Sequence, residues 1–143
     1  MFKKPKTILI ILIAFVLVSQ VIPIELSNPP VTAELTAPDE LMTILKRSCY
    51  DCHSNESIWP WYSHIAPVSW LLAFDVSEGR GHLNFSTWGD YDGEKQLKLK
   101  KKTWKAVDEG EMPPLWYYPA HLDARLSDQD KKVIRSWSES GTN

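Results

Sequence analysis

Cysteine is scarce in this chain, with two residues in 143. A multi-disulfide scaffold is therefore excluded. An excess of basic charge is missing too. Sixteen Lys and Arg stand against eighteen Asp and Glu, a net charge of −2. A nucleic-acid binder usually shows a strong positive balance, so no nucleic-acid partner is expected. There is no internal repeat, no low-complexity block and no pair of segments with the alternating pattern of strands. The charged fraction of 24% is ordinary and does not fit a wholly disordered chain. What remains is one small domain, all-α by pattern. It carries seven Trp and ten Pro, a composition suited to packing around something large and flat.

One long hydrophobic run is present, at the N-terminus. Lys3, Lys4 and Lys6 precede Ile8–Val18, which holds no polar residue, and the apolar character continues past Ser19 and Gln20 to Ile24. A positive flank before an apolar stretch is an export signal, and the positive end stays in the cytoplasm. Ile8–Ile24 is 17 residues, at the short end of a membrane span. Residues 1–24 are thus expected to be an N-terminal signal or uncleaved membrane anchor; cleavage after Val31-Thr32-Ala33 is the alternative. Residues 25–37 read as a Pro-containing tether. Residues 38–143 read as the exported domain, facing the periplasm from a bacterial cytoplasmic membrane. From residue 34 onward, 13 basic and 17 acidic residues give a net charge of −4.

The exported part predicts about four helices. The first opens near Thr36-Ala37-Pro38-Asp39, with Pro in the first turn and acids at the helix N-terminus. Leu41, Ile44, Leu45 and Ser48 share one face, and the helix runs into Cys49. Residues 54–66 form a loop around Pro60. A second helix opens at Pro67, runs through Trp70, Leu71 and Phe74, and is terminated by Ser77-Glu78-Gly79-Arg80-Gly81. Residues 82–93 form an aromatic loop. A third helix spans about Glu94–Glu109 with Gly110 as its stop, and Glu111-Met112-Pro113-Pro114 leaves it. The last helix begins at Ser127, with Asp130 as a partial capping box and Val133, Ile134 and Trp137 as its buried stripe.

Cys49-Tyr50-Asp51-Cys52-His53 is C-x-x-C-H, the attachment signature of c-type haem. Two thiols three residues apart on one helical turn reach the two vinyl groups on one porphyrin edge. The following residue, His53, offers an imidazole nitrogen to iron. Other readings compete. A thioredoxin-type pair wants a βαβ context that the pattern lacks. Zinc needs a fourth ligand such as His64 or His82. A plain disulfide leaves His53 unexplained.

The chain from about Ala37 to Trp137 resembles a small single-haem cytochrome c domain. More narrowly, it resembles the membrane-anchored bacterial haem-binding domain family. The likeness rests on the helix entering CYDCH, on IAPVSW at Ile65–Trp70 and on DVSEGRGHLNFSTW at Asp75–Trp88. It continues in GEMPP at Gly110–Pro114 and LSDQDKKVIRSW at Leu126–Trp137. The resemblance implies one haem c per chain, attached through Cys49 and Cys52, with His53 as proximal iron ligand. Met112, before Pro113 and ahead of the last helix, stands where a distal Met ligand is placed. His82 is its main rival, His64 and His121 are weaker ones, and an open sixth position is the remaining option. The resemblance also implies that Ile134 and Trp137 cross Leu41 and Leu45. Trp59, Trp61, Trp70, Trp88, Trp104 and Trp116 are expected to line or cover the haem and complete a core, and Arg80 is a candidate partner for a haem propionate, with a solvated cation as the alternative. Lys95, Lys98, Lys100, Lys101, Lys102 and Lys105 read as a solvated helix face, with a docking patch for an acidic redox partner as the alternative.

Three functions follow as expectations. The first is one-electron transfer by a monohaem cytochrome, not an enzyme, serving an unidentified redox partner protein. The second is a haem-based ligand sensor with an open sixth position. The third is a peroxidase-like enzyme, which needs a distal acid–base residue.

Overall fold

A computed structural model describes residues 5–141. Among them are six α-helices and no strand: α1 (Pro5–Ser19), α2 (Asp39–Ser48), α3 (Tyr50–His53), α4 (Val68–His82), α5 (Gly93–Asp108) and α6 (Asp128–Glu139). Short 3-10 turns lie at Trp61–His64, Phe85–Asp90 and Leu122–Ala124. The all-α class is as expected. The positive flank at Lys3 and Lys4 lies outside the described residues.

Helix α1 is apolar all round, and Ser19 is its one buried residue. Its 15 residues rise about 22 Å, short of the roughly 30 Å of a bilayer core. No helix among the described residues is long and apolar enough to cross a membrane.

The core forms where α2, α5 and α6 meet. Leu41, Ile44 and Leu45 from α2 share one buried cluster with Ile134 and Trp137 from α6, and the two helices pack together. Phe85, fully buried, stacks on Tyr50 with ring centroids 5.4 Å apart and on Trp88 at 6.3 Å. The capping box of α6 is complete: the Ser127 hydroxyl accepts the Asp130 amide at 3.1 Å and Asp130 accepts the Ser127 amide at 2.8 Å. Asp130 Oδ2 also receives Arg47 Nη2 at 2.8 Å, which ties α6 to α2.

The first helix runs to Cys49 as expected, and the Cys49 φ of −131° then breaks it from α3. Several other expectations are corrected. Helix α4 passes through Gly79-Arg80-Gly81 and ends only at His82, because Gly79 serves a close helix contact rather than a stop. Residues 25–37, expected as a tether, lie along the domain as an extended strap. The Thr32 and Ala33 amides donate to the Ser86 carbonyl, Leu35 to Phe85, and Gly89 to Ala33; Leu35 is buried. Proline favours such extended backbone, and the residues after Pro29-Pro30 find acceptors in 85–89. The lysine run is not one uniform face. Lys100 is buried, donates to Ser140 Oγ at 3.1 Å and Gly141 O at 2.8 Å, and lies over the Trp137 ring. Lys98 and Lys101 are exposed.

Burial works against the Asp130 carboxylate, but the Ser127 amide and hydroxyl and the Arg47 guanidinium outweigh it. Its pKa is held below the ordinary 3.8. A depressed acid stabilises the fold above its unfolded pKa and loses that contribution as pH falls through the folded value. Asp130→Ala is expected to cost about 1–2 kcal/mol at neutral pH, chiefly through the lost cap. Urea unfolding followed by circular dichroism checks this, and the gap between variant and parent should shrink as pH drops below 3.8.

Candidate functional site

The break at Cys49 places the C-x-x-C-H segment on a single turn pressed against the C-terminal half of α4. Gly79 permits the approach. A Cβ there would run into the Cys52 carbonyl oxygen and stand 3.1 Å from the Cys52 Cβ. The same residue supplies chemistry. His53 Nδ1 lies 2.9 Å from the Gly79 carbonyl oxygen and 3.1 Å from that of Leu83. Carbonyl oxygens only accept, so Nδ1 carries the hydrogen and Nε2 keeps its lone pair. The carbonyls belong to the end of α4, where the helix dipole is negative and cation character on the imidazole is favoured. Burial dominates nonetheless and lowers the His53 pKa below 6.5, against the raising effect of the two carbonyl bonds. A half-buried, neutral imidazole with a fixed tautomer is the form that binds metals, and such a carbonyl acceptor raises ligand basicity.

A largely apolar cavity of about 480 Å³ opens beside this turn, within the roughly 300–1,000 Å³ usual for cofactor sites. Cys49, Cys52 and His53 line it. Helix α5 offers Leu99, Lys102, Thr103, Ala106 and Val107, which recur at helical spacing. Met112 and Pro113 enter from the loop after α5. That loop is held by Ala106, whose carbonyl accepts the amides of Glu111 at 2.8 Å and Met112 at 3.1 Å. Gly110, at φ +73°, makes the turn. His82 is also on the wall, exposed, with Glu78 at 3.9 Å. The structure thus brings Cys49, Cys52, His53, Met112 and His82 to one cavity. His64 is exposed and lines neither cavity, and His121 lines only a second one of about 180 Å³.

Both thiols are free. Burial, with the neighbouring Cys52 thiol adding to it, pushes Cys49 up to about 12; burial, with Asp51 adding, pushes Cys52 up to about 11. Dithiol redox catalysis needs an easily ionised thiol, so that reading is disfavoured. Among the described residues no three or more of His, Cys, Asp and Glu are grouped to hold an ion, so the zinc reading gains no fourth ligand.

Two expectations about the surroundings are corrected. Of the six Trp expected to line or cover the haem and complete a core, Trp88 is in the core and Trp104 packs against it, but only Trp116 lines the large cavity; Trp59 lines the second and Trp61 is exposed. Arg80 is not in the large cavity either. Its guanidinium donates to Ser54 O, Ser27 O, Asn28 Oδ1 and Ser57 Oγ at 2.7–2.9 Å. It fastens the strap to the segment after His53, so its donors are occupied by protein oxygens.

Sequence reasoning missed three residues. Gly79 and Leu83 act through their carbonyls, which no side-chain pattern reveals. Tyr117 donates to Asp51 Oδ2 at 2.6 Å, while Asp51 Oδ1 accepts the Ile58 amide at 3.0 Å. Burial and the Asp51 hydrogen bond raise the Tyr117 pKa, so the phenol stays a donor. The bond pins the 111–121 loop to the outer side of the C-x-x-C-H turn.

An all-helical domain with an imidazole and two thiols on the wall of a largely apolar cavity offers the donors and the space for a metal-bearing cofactor. The haem-binding domain family model matches residues 8–140, nearly the whole chain, and the chain belongs to that family. No curated protein and no solved structure matches it. The site fits the group: its size, its apolar lining and its imidazole, thiol and thioether donors are those haem uses.

Gly79→Ala is expected to cost about 1–3 kcal/mol through overpacking against Cys52 and to lower haem content per protein. Gly81, where an added Cβ would meet nothing within 4 Å, should accept Ala at no cost. Thermal unfolding and haem absorbance of the two variants check the contrast.

Proposed function

We propose that this chain is a monohaem c-type cytochrome that transfers single electrons at the outer face of a bacterial cytoplasmic membrane. The observation that carries the reading is the Nδ1–H donation of His53 to Gly79 and Leu83. It frees Nε2 toward a cavity whose wall also holds both thiols and Met112. When bound, haem supplies a one-electron iron couple tuned by its axial ligands. Cys49 and Cys52 would hold it by thioether bonds, and His53 Nε2 would be the proximal ligand. Leu99, Ala106, Val107 and Phe85 keep water from the buried side. Met112 would be the distal ligand, since it reaches the cavity from the loop after α5, whereas His82 sits at the same end of α4 that holds His53.

Helix α1 is the anchor in this reading. Its apolar residues are exposed on every side, and a helix 15 residues long is accommodated by local bilayer thinning and by continued insertion through Val21 and Ile22. An unidentified redox protein is the partner, and the domain itself turns over no substrate.

One observation favours a second reading. Met112 is 43% exposed on an irregular loop, which suits a ligand that yields to a diatomic gas, as in a haem-based sensor. A peroxidase-like activity draws less support, because His64 lies off the cavity and His82 on its exposed rim.

Expression with the c-type maturation system tests the proposal. A haem-stained band on a denaturing gel is expected, lost when Cys49 and Cys52 are both changed to Ala. A weak far-red sulfur-to-iron band is expected in the oxidised spectrum. Met112→Ala should abolish it and lower the reduction potential. A high-spin parent spectrum that shifts with carbon monoxide would favour the sensor. An unstained band, in cells that mature a control cytochrome, overturns covalent attachment.

A further inference from the structure

We propose that residues 57–74 form a second membrane contact, laid against the boundary between lipid headgroups and acyl chains. The haem-binding domain then rests on the bilayer in one orientation. The inference rests on the reading of α1 as membrane-inserted.

The composition of this stretch is its first support. From Ser57 to Phe74 there is no Lys, Arg, Asp or Glu, in a chain whose charged fraction is 24%. A stretch of this kind normally belongs in the core, yet much of it is outside. Ile58 is 78% exposed, Trp61 75% and Phe74 62%, and Ile65, Val68 and Leu71 are exposed as well. Contiguous apolar surface of this kind marks an interaction site.

Position identifies the occupant as lipid. Gln20 follows α1 directly, and its side-chain amide pairs in both directions with the backbone of Ala66. Nε2 donates to the Ala66 carbonyl at 2.9 Å, and the Ala66 amide donates to Oε1 at 3.1 Å. Ala66 lies in the middle of the uncharged stretch, between exposed Ile65 and Val68. The helix that enters the bilayer is therefore clipped to this face, and exposed Val21 and Ile22 continue it. Trp61 and His64, both exposed near the clip, are amphipathic side chains suited to the headgroup level. The face carries no cation, so zwitterionic lipid suffices, and the contact differs from a basic patch seeking anionic lipid. The lysines of α5 play no part.

The test uses the full, haem-loaded chain in phosphatidylcholine nanodiscs containing a phospholipid with a photoactivatable diazirine near the headgroup. Adducts are mapped by peptide mass spectrometry. Adducts in α1 and in 57–74, with none in 95–105, are expected. The double variant Ile65→Glu, Leu71→Glu should lose the 57–74 adducts and keep those in α1, with unchanged haem absorbance per protein. Adducts confined to α1 overturn the docking face, assign it to a protein partner and leave the anchor standing. Adducts in neither segment overturn both. Adducts in 57–74 alone support the face and overturn insertion of α1.

Discussion

The site depends on one hydrogen-bonded contact, that of the His53 imidazole with the end of α4. An unpaired buried N–H costs on the order of 1–3 kcal/mol; here it finds the carbonyls of Gly79 and Leu83. That pairing is reachable only because Gly79 has no side chain where α4 meets Cys52. One glycine thus fixes the separation of two helices, the tautomer of the imidazole and the direction of its free nitrogen. The Gly79 carbonyl also accepts the Leu83 amide at 2.9 Å, so α4 keeps its last helical bond while binding His53.

Much of the frame was legible in the sequence because side chains wrote it there. The apolar spacing of Leu41, Ile44 and Leu45 gave α2 its buried face, and Ser127 with Asp130 marked the start of α6. The C-x-x-C-H spacing pointed to haem without any knowledge of the cavity. What was not legible depends on backbone or on long-range partners. Glycines 79 and 81 look alike in a local pattern and suggest a helix stop, yet one is pressed against Cys52 and the other faces open space. Arg80 reads as a free cation until the strap residues Ser27 and Asn28 are seen beside it. The Trp residues share one chemistry, and only tertiary placement separates Trp116 on the cavity wall from Trp88 in the core.

The two sides of the cavity are held differently. The side bearing His53 is buried and braced by α4, by the Ser54 carbonyl's bond to Arg80 and by the strap. The side bearing Met112 is a loop anchored at one end by Ala106 and along its course by the Tyr117–Asp51 bond. Fewer buried contacts mean lower local stability and easier opening. Under the electron-transfer reading, such an edge brings the redox centre near the surface, where a partner docks. Under the sensor reading, it is the side that yields a ligand. The fold is the same for both, and the strength of the bond to Met112 decides between them.

Under the proposed membrane contact, helix α4 joins these properties to the bilayer. Its first turns carry Val68 and Leu71 on the exposed uncharged face, and its last turn holds His53. The whole helix is 15 unbroken residues, a rise of about 22 Å. Under the proposed readings, a rigid helix with lipid contact at one end and the proximal ligand at the other would set the height and tilt of the cofactor above the bilayer. The strap reinforces this, since bonding to 85–89 removes the slack that a free tether would allow. Under the proposed readings, the search for a redox partner then takes place in the membrane plane with the cavity mouth held at constant height. A swinging tether would trade that fixed presentation for reach, and the pairing of Gln20 with Ala66 is the contact that opposes the exchange.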